Sequence, residues 1–169
     1  MIKNLLKVIR IKLLKSLKFP TWNFKGSFYC GYNGINDVKN ATIGNRVYIG
    51  NKFHLAVDSL DIGDHTLLAS NVSIVGGDHL INIPKQCIRD TIIDSRPGVI
   101  IGKDCWIGHG TIILSGVKIG DGAVIGSGSI VVKDIPSFSV AVGNPAKVIK
   151  MRFSEDNINE HKKFLKSLK

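Results

Sequence analysis

From Ile101 the chain reads IGKDCW, IGHGTI, ILSGVK, IGDGAV, IGSGSI and VVKDIP, six successive hexads that each begin with Ile or Val and of which four carry Gly second. The pattern also runs earlier, as IGNRVY, IGNKFH and LAVDSL from Ile43, and after one inserted residue as IGDHTL, LASNVS and IVGGDH from Ile62. The fifth place is mostly small or β-branched. One short strand cannot bury its apolar side alone, but stacked copies of it can. The leading aliphatic residue then points inward, the fifth residue also faces the interior, and glycine falls at a corner where the backbone needs freedom. Three hexads close one triangular coil, so residues eighteen apart stack: Ile101 with Ile119, Ile107 with Ile125, Ile113 with Val131. Coils then lie about 4.8 Å apart, the usual strand spacing. The expected fold is an all-β, three-sided parallel β-helix. Periodicity leaves its hand open, and the general rule for crossovers favours the right.

Three segments fall outside the repeat. Residues 1–20 place Leu6, Ile9, Leu13 and Leu17 on one helical face and Lys3, Lys7 and Arg10 on another. No apolar run there is long enough for a signal peptide or a membrane span. Such a basic amphipathic helix either lies on an anionic membrane surface or packs on the assembled protein with its lysines solvated. Residues 75–98 interrupt the coil with VGGDHLINIPKQCIRDTIIDSRPG, and a long insertion in a regular solenoid usually carries function. Ser154 followed by Glu155 and Asp156 resembles a helix N-cap, starting a closing helix that runs to about Leu168. The organisation read from sequence is therefore a helix over 1–20, a repeat domain over 21–150 with its loop at 75–98, and a C-terminal helical segment over 151–169.

The net charge of +10 invites a nucleic-acid reading, but the excess sits in the tails and leaves the body nearly neutral. A nucleic-acid domain needs a basic stripe on its folded face, so this class is set aside. Three cysteines, Cys30, Cys87 and Cys105, lie far apart with no CxxC pair. That argues against a disulfide framework and for a reducing compartment, the cytoplasm, with a peripheral station on the inner face of the membrane if the first helix binds lipid.

Of the five histidines, His79 ends the last hexad before the loop, in GGDH, where the chain leaves the prism. Neutral imidazole is suited to taking a proton from a hydroxyl near pH 7, and the bland alternative is a loop histidine that only hydrogen-bonds nearby. His109, in WIGHG, faces solvent or a neighbouring subunit; His54 and His65 lie on hexad faces, and His161 lies in the closing helix. There is no GxSxG, and Cys105 occupies a fifth-place slot, which marks it as an interior residue rather than a nucleophile. Direct transfer is expected in place of an acyl-enzyme.

The stretch over 98–153, GVIIGKDCWIGHGTIILSGVKIGDGAVIGSGSIVVKDIPSFSVAVGNPAKVIKMRF, resembles the C-terminal half of the maltose, galactoside and xenobiotic O-acetyltransferases of the hexapeptide-repeat kind. Its marks are WIG, GVKIGDGAVIGSGSIVVKDIP and VGNPAKVI, and MRFSEDNI is closest to the xenobiotic branch. The resemblance implies a left-handed β-helix, a homotrimer and acetyl-CoA as co-substrate. It gives His79 the catalytic role and sets Trp106 beside the active-site groove. It gives the position of His109, next to Gly108, a backbone N–H that meets the thioester carbonyl. Ser127 and Val132 would line the pantetheine arm, Lys133, Lys147 and Lys150 would lie near the phosphates of CoA, and Asp58 would fall near the acceptor. Some hexapeptide-repeat proteins are zinc carbonic anhydrases, but the histidine pair five apart that they use is missing here, so no metal is expected. The chain departs from the maltose-like members at His79-Leu80, where they carry His-Pro, and at Ser115-Gly116-Val117, where they carry Pro-Gly-Val; a basic helix also replaces their N-terminal segment.

The resulting expectation is an acetyl-CoA-dependent O-acetyltransferase acting on a sugar hydroxyl in surface polysaccharide or lipopolysaccharide synthesis. Two other readings stay open. One is N-acetylation of an amino sugar, or acetylation of a streptogramin-type xenobiotic, with Asp58 or Asp78 beside an incoming ammonium. The other is a non-catalytic trimeric scaffold, which predicts no CoA binding.

Overall fold

The computed structural model describes residues 19–91 and 95–168. The helix expected over 1–20 therefore lies outside the described residues, except for Phe19 and Pro20, which are not helical. Among the described residues no helix is long and apolar enough to cross a membrane.

The chain winds as a solenoid whose strands form three sheets. The first sheet stacks β1 (Trp22–Phe24), β4 (Asn40–Ile43), β7 (Ser59–Ile62), β10 (Val99–Ile101) and β13 (Lys118–Ile119), all parallel. The second stacks β2 (Phe28–Cys30), β5 (Val47–Ile49), β8 (Leu67–Leu68), β11 (Trp106–Ile107), β14 (Val124–Ile125) and β16 (Ser139–Gly143), and ends in the antiparallel β17 (Ala146–Met151). The third stacks β3 (Ile35–Asn36), β6 (His54–Ala56), β9 (Ser73–Val75), β12 (Ile112–Leu114) and β15 (Ile130–Val131). Five coils are complete and a sixth is partial, and one apolar core runs through their centre.

The predicted stacking holds after the loop, where Ile101 pairs with Ile119, Ile107 with Ile125 and Ile113 with Val131. Before the loop the coil is one residue longer, since Ala41 pairs with Leu60 and Ile43 with Ile62. Leu55, Val57, Leu60 and Ile62 are all buried, whereas Ser59 and Asp61 face out. The extra residue thus lies in the corner between β6 and β7 rather than at Asp61.

A second correction concerns the hexad glycines. Positive φ falls at the fourth place, at Arg46, Lys52, His65, Asn71 and Asp104 and later at Gly110, Gly116, Gly122 and Gly128. The second-place glycines answer a different need, close approach of stacked coils. A Cβ on Gly108 would lie 2.5 Å from the backbone nitrogen of Ser127, closer than real contacts allow. Most fifth-place residues behave as expected, with Val47, Thr66, Val72, Cys105, Thr111, Ala123 and Ser129 buried, but Ser59 and Asp78 face out, where the extra residue and the loop break the period. Phe53 fits in the fifth place because the coil below offers Gly34, where even a Cβ would touch its ring.

Aromatic and helical plugs close the ends. Phe19 packs on Trp22 with ring centroids 4.3 Å apart and planes tilted by 34°, and meets Phe28 edge-on at 6.0 Å, covering the first coil. At the other end Ser154 caps α1 (Glu155–Ser167), accepting from the Asn157 amide as the sequence suggested. Asp104 anchors this end, with Oδ2 2.7 Å from Arg152 and 2.8 Å from His161 of α1.

Burial sorts the thiols. Cys30 and Cys105 are buried and Cys87 is exposed, and burial pushes the Cys105 thiol up to about 12. At pH 8 almost none of Cys105 is thiolate, and thiolate is the reactive form. Native protein titrated with a disulfide reagent should therefore show one fast thiol, lost in Cys87→Ser, and release the other two only on unfolding.

Candidate active site

β9 ends at Val75, and Gly76 and Gly77 carry the chain out of the prism. Glycine is required at both places. A Cβ on Gly76 would collide with the Ser115 side chain, and Gly77 has φ +98° with the Arg96 stem packed 3.1 Å from where its Cβ would be. His79 follows, exposed, with Nδ1 hydrogen-bonded to the main-chain carbonyl of Thr91. A carbonyl can only accept, so Nδ1 donates, and in the neutral ring Nε2 then keeps the lone pair. A tethered imidazole with a free basic nitrogen is the arrangement a general base needs.

The returning end of the loop is pinned to the coil below. Asp58 donates its N–H to the Arg96 carbonyl at 2.8 Å and accepts the Arg96 N–H on Oδ2 at 2.8 Å. Lys39 reaches Oδ1 at 3.0 Å. The Arg96 amide, and after it Lys39, hold the Asp58 carboxyl below its ordinary value. The Arg96 guanidinium continues to Asp37 at 2.6 Å. Asp58 therefore meets groups of its own chain on both oxygens.

A second group of candidates sits at the corner between the second and third sheets. The Gly108 N–H goes to the Ile125 carbonyl and the Gly110 N–H to that of Ser70, each within the coil stack. No acceptor for the His109 N–H occurs among the described residues. Its imidazole is engaged, with Nε2 3.2 Å from Asn71 Nδ2. Ser127 stacks one coil further on, where the Gly128 N–H bonds the His109 carbonyl. Trp106 projects from β11 at 55% exposure. Register joins it through Val124 and Val140 to Lys150 on β17, where Lys147 is also exposed. Trp106 and Lys150 thus lie three strand spacings apart in one row, about 14 Å.

The chain does not bring all these residues together. Val132 and Lys133 follow the C-terminal end of β15, the same edge of the third sheet from which the His79 loop leaves β9. His109 and Ser127 precede β12 and β15, at the opposite edge. Sequence reasoning passed over Thr91, Arg96 and Asn71, whose roles depend on contacts twelve to fifty-nine residues away along the chain.

Residues 98–133 match the family model for the bacterial transferase hexapeptide, six repeats. The crystal structure of a maltose O-acetyltransferase from Clostridium difficile 630 superposes with a TM-score of 0.69 and 33% identity, over 86% of this chain and 75% of that one. The chain belongs to the hexapeptide-repeat acetyltransferases. A galactoside acetyltransferase solved in complex with coenzyme A superposes at 0.67 with 32% identity, over 88% of this chain and 72% of that one. A relative from Saccharomyces cerevisiae is 36% identical over 137 residues, which are 77% of this chain and 63% of that protein, so the chain spans less than two thirds of that relative's length. The matched repeats contain the His109–Ser127 corner, and His79 stands on the far side of the loop that precedes them.

Proposed function

We propose that this chain is an acetyl-CoA-dependent O-acetyltransferase that moves an acetyl group directly to a sugar hydroxyl. The observation that carries the reading is the tether of His79 Nδ1 to the Thr91 carbonyl, which leaves Nε2 as a proton acceptor at the mouth of the loop. Nε2 takes the proton from the acceptor hydroxyl as its oxygen attacks the thioester carbonyl. The resulting oxyanion is met by the His109 N–H, an amide that has no acceptor among the described residues. The C–S bond then breaks, and the imidazolium returns the proton to the CoA thiolate. The pantetheine arm runs past Trp106 and Ser127 along the second sheet towards Lys147 and Lys150, which face the CoA phosphates, with Val132 and Lys133 contributed from the other sheet edge.

The opposite placement of His79 and His109 supports a homotrimer, in which the loop of one copy meets the corner of the next. A base and an oxyanion donor must lie within a few ångströms of one carbonyl, and an assembly of copies around an axis achieves this. The relatives named for maltose and galactoside acetylation support a sugar acceptor, in surface polysaccharide synthesis on our reading. The test is thiol release from acetyl-CoA against sugars, nucleotide sugars, amino sugars and streptogramins. Turnover with a hydroxyl sugar is the expected result. A preference for an amine would replace O- by N-acetylation, and absence of both turnover and CoA binding would leave a scaffold.

A further inference from the structure

Thr91 stands apart from the rest of its loop. Every described residue from Gly77 to Asp90 is exposed, and Thr91 alone in that run is buried, at 4%. Its hydroxyl lies 2.8 Å from the Leu80 carbonyl, next to His79, and 2.8 Å from the Ile88 carbonyl of the short 3-10 turn Ile88–Asp90. The Thr91 amide also bonds the Ile88 carbonyl at 3.1 Å. One residue therefore does three things: it closes the turn, ties the outgoing strand of the loop to the returning one, and presents its own carbonyl to His79 Nδ1. A loop of exposed residues has little apolar burial to fix its shape, so this brace must do it.

We infer that Thr91 is a positioning residue for His79: its buried hydroxyl locks the loop so that its carbonyl holds the imidazole as the Nδ1–H tautomer, with Nε2 aimed at the acceptor. The inference rests on His79 being the base, as proposed above. Thr91 itself touches neither substrate nor reacting atoms. Without the hydroxyl the two loop strands separate, the carbonyl moves off the ring, and the imidazole samples both tautomers and several rotamers. The chemistry depends on which nitrogen is protonated, because only a bare Nε2 can take the proton.

The substitution that isolates the hydroxyl is Thr91→Val, close to Thr in shape, with Thr91→Ser as the restoring control. Two readouts are taken on the full chain. In steady-state kinetics, Thr91→Val should lower kcat about ten- to a hundredfold with KM for acetyl-CoA unchanged, as expected for a misplaced catalytic group, and Thr91→Ser should recover most of the rate. In long-range 1H–15N spectra of histidine-labelled protein, with the His79 signals assigned by their loss in His79→Ala, wild type and Thr91→Ser should show the Nδ1–H tautomer of His79. Thr91→Val should show it lost or mixed. The tautomer is read without turnover, so it tests the brace even if another residue proves to be the base. Thr91→Val protein that keeps the Nδ1–H signature, or keeps wild-type kcat while His79→Ala does not, overturns the inference. Loss of nothing in His79→Ala overturns instead the assignment of the base.

Discussion

Replacing His79 with alanine should lower kcat by about two to four orders of magnitude, the usual contribution of a positioned general base. KM for acetyl-CoA should stay within about twofold, because the residues we assign to CoA lie on the second sheet and at the corners, not on the loop. The fold should tolerate the change. His79 is exposed, and the loop is held at its base by the Asp58–Arg96 pair and at its neck by Thr91, neither of which needs the imidazole. His79→Asn is the sharper variant. Its side-chain amide can still donate to the Thr91 carbonyl and keep the loop in place, but it offers no basic nitrogen. Equal losses in the two variants would place the effect in proton transfer, whereas a near-normal His79→Asn enzyme would make the residue a loop anchor and end the general-base reading.

The regular part of this fold is legible because its geometry imposes a spacing on the sequence. Ile101, Ile107, Ile113 and Ile119 must all point inward, and nothing but an aliphatic residue every sixth place does that. The first coil hides from the same search. There Trp22, Phe28 and Cys30 fill the interior that Ile and Val fill elsewhere, and Gly34 stands empty to admit Phe53 from the coil above. Aromatic residues stand in the first coil where the stacked positions hold Ala41 and Val47, so a search for repeated aliphatics loses the signal at the capped end. The two roles of glycine are hidden for a related reason. A glycine looks the same in sequence whether it relieves a dihedral angle, as at Gly110, or a contact, as at Gly108, and only the stacked coils tell them apart.

The candidate site divides in the same way. His79 is conspicuous because a polar residue ends a hexad where the chain abandons its period. Lys133, Lys147 and Lys150 carry no pattern of their own and were visible only through resemblance. Thr91 and Arg96 could not be found, since each acts on a segment that folding, not sequence, brings next to it. On the proposed reading, the chemistry of the site depends on a loop anchored by Thr91 at the neck and Asp58 at the base.

His109→Pro should lower kcat by about 10²–10³-fold, the cost of removing one oxyanion donor, while His109→Ala stays near wild type. The substitution is gentle on the backbone. The Thr111 N–H bonds the Gly108 carbonyl at 3.3 Å across His109 and Gly110, and Gly110 has φ +69°. These are the features of a type II turn, whose first central position favours proline. Proline there deletes an N–H that has no acceptor among the described residues, so no coil hydrogen bond is lost. Alanine removes the imidazole and its contact with Asn71 but keeps the N–H, which separates side chain from backbone. Mixing then asks where the two halves meet. Coassembled in equal amounts, His79→Ala and His109→Pro chains should regain about a quarter of wild-type activity if each site takes its loop from one copy and its corner from the next, because a quarter of such pairings are intact on both sides. A site built within one chain would leave every mixture inactive, since each chain carries one lesion. Recovery therefore identifies the interface between copies as the place of catalysis, and its absence would return His79 and His109 to a single chain, with a loop that crosses the third sheet to join them.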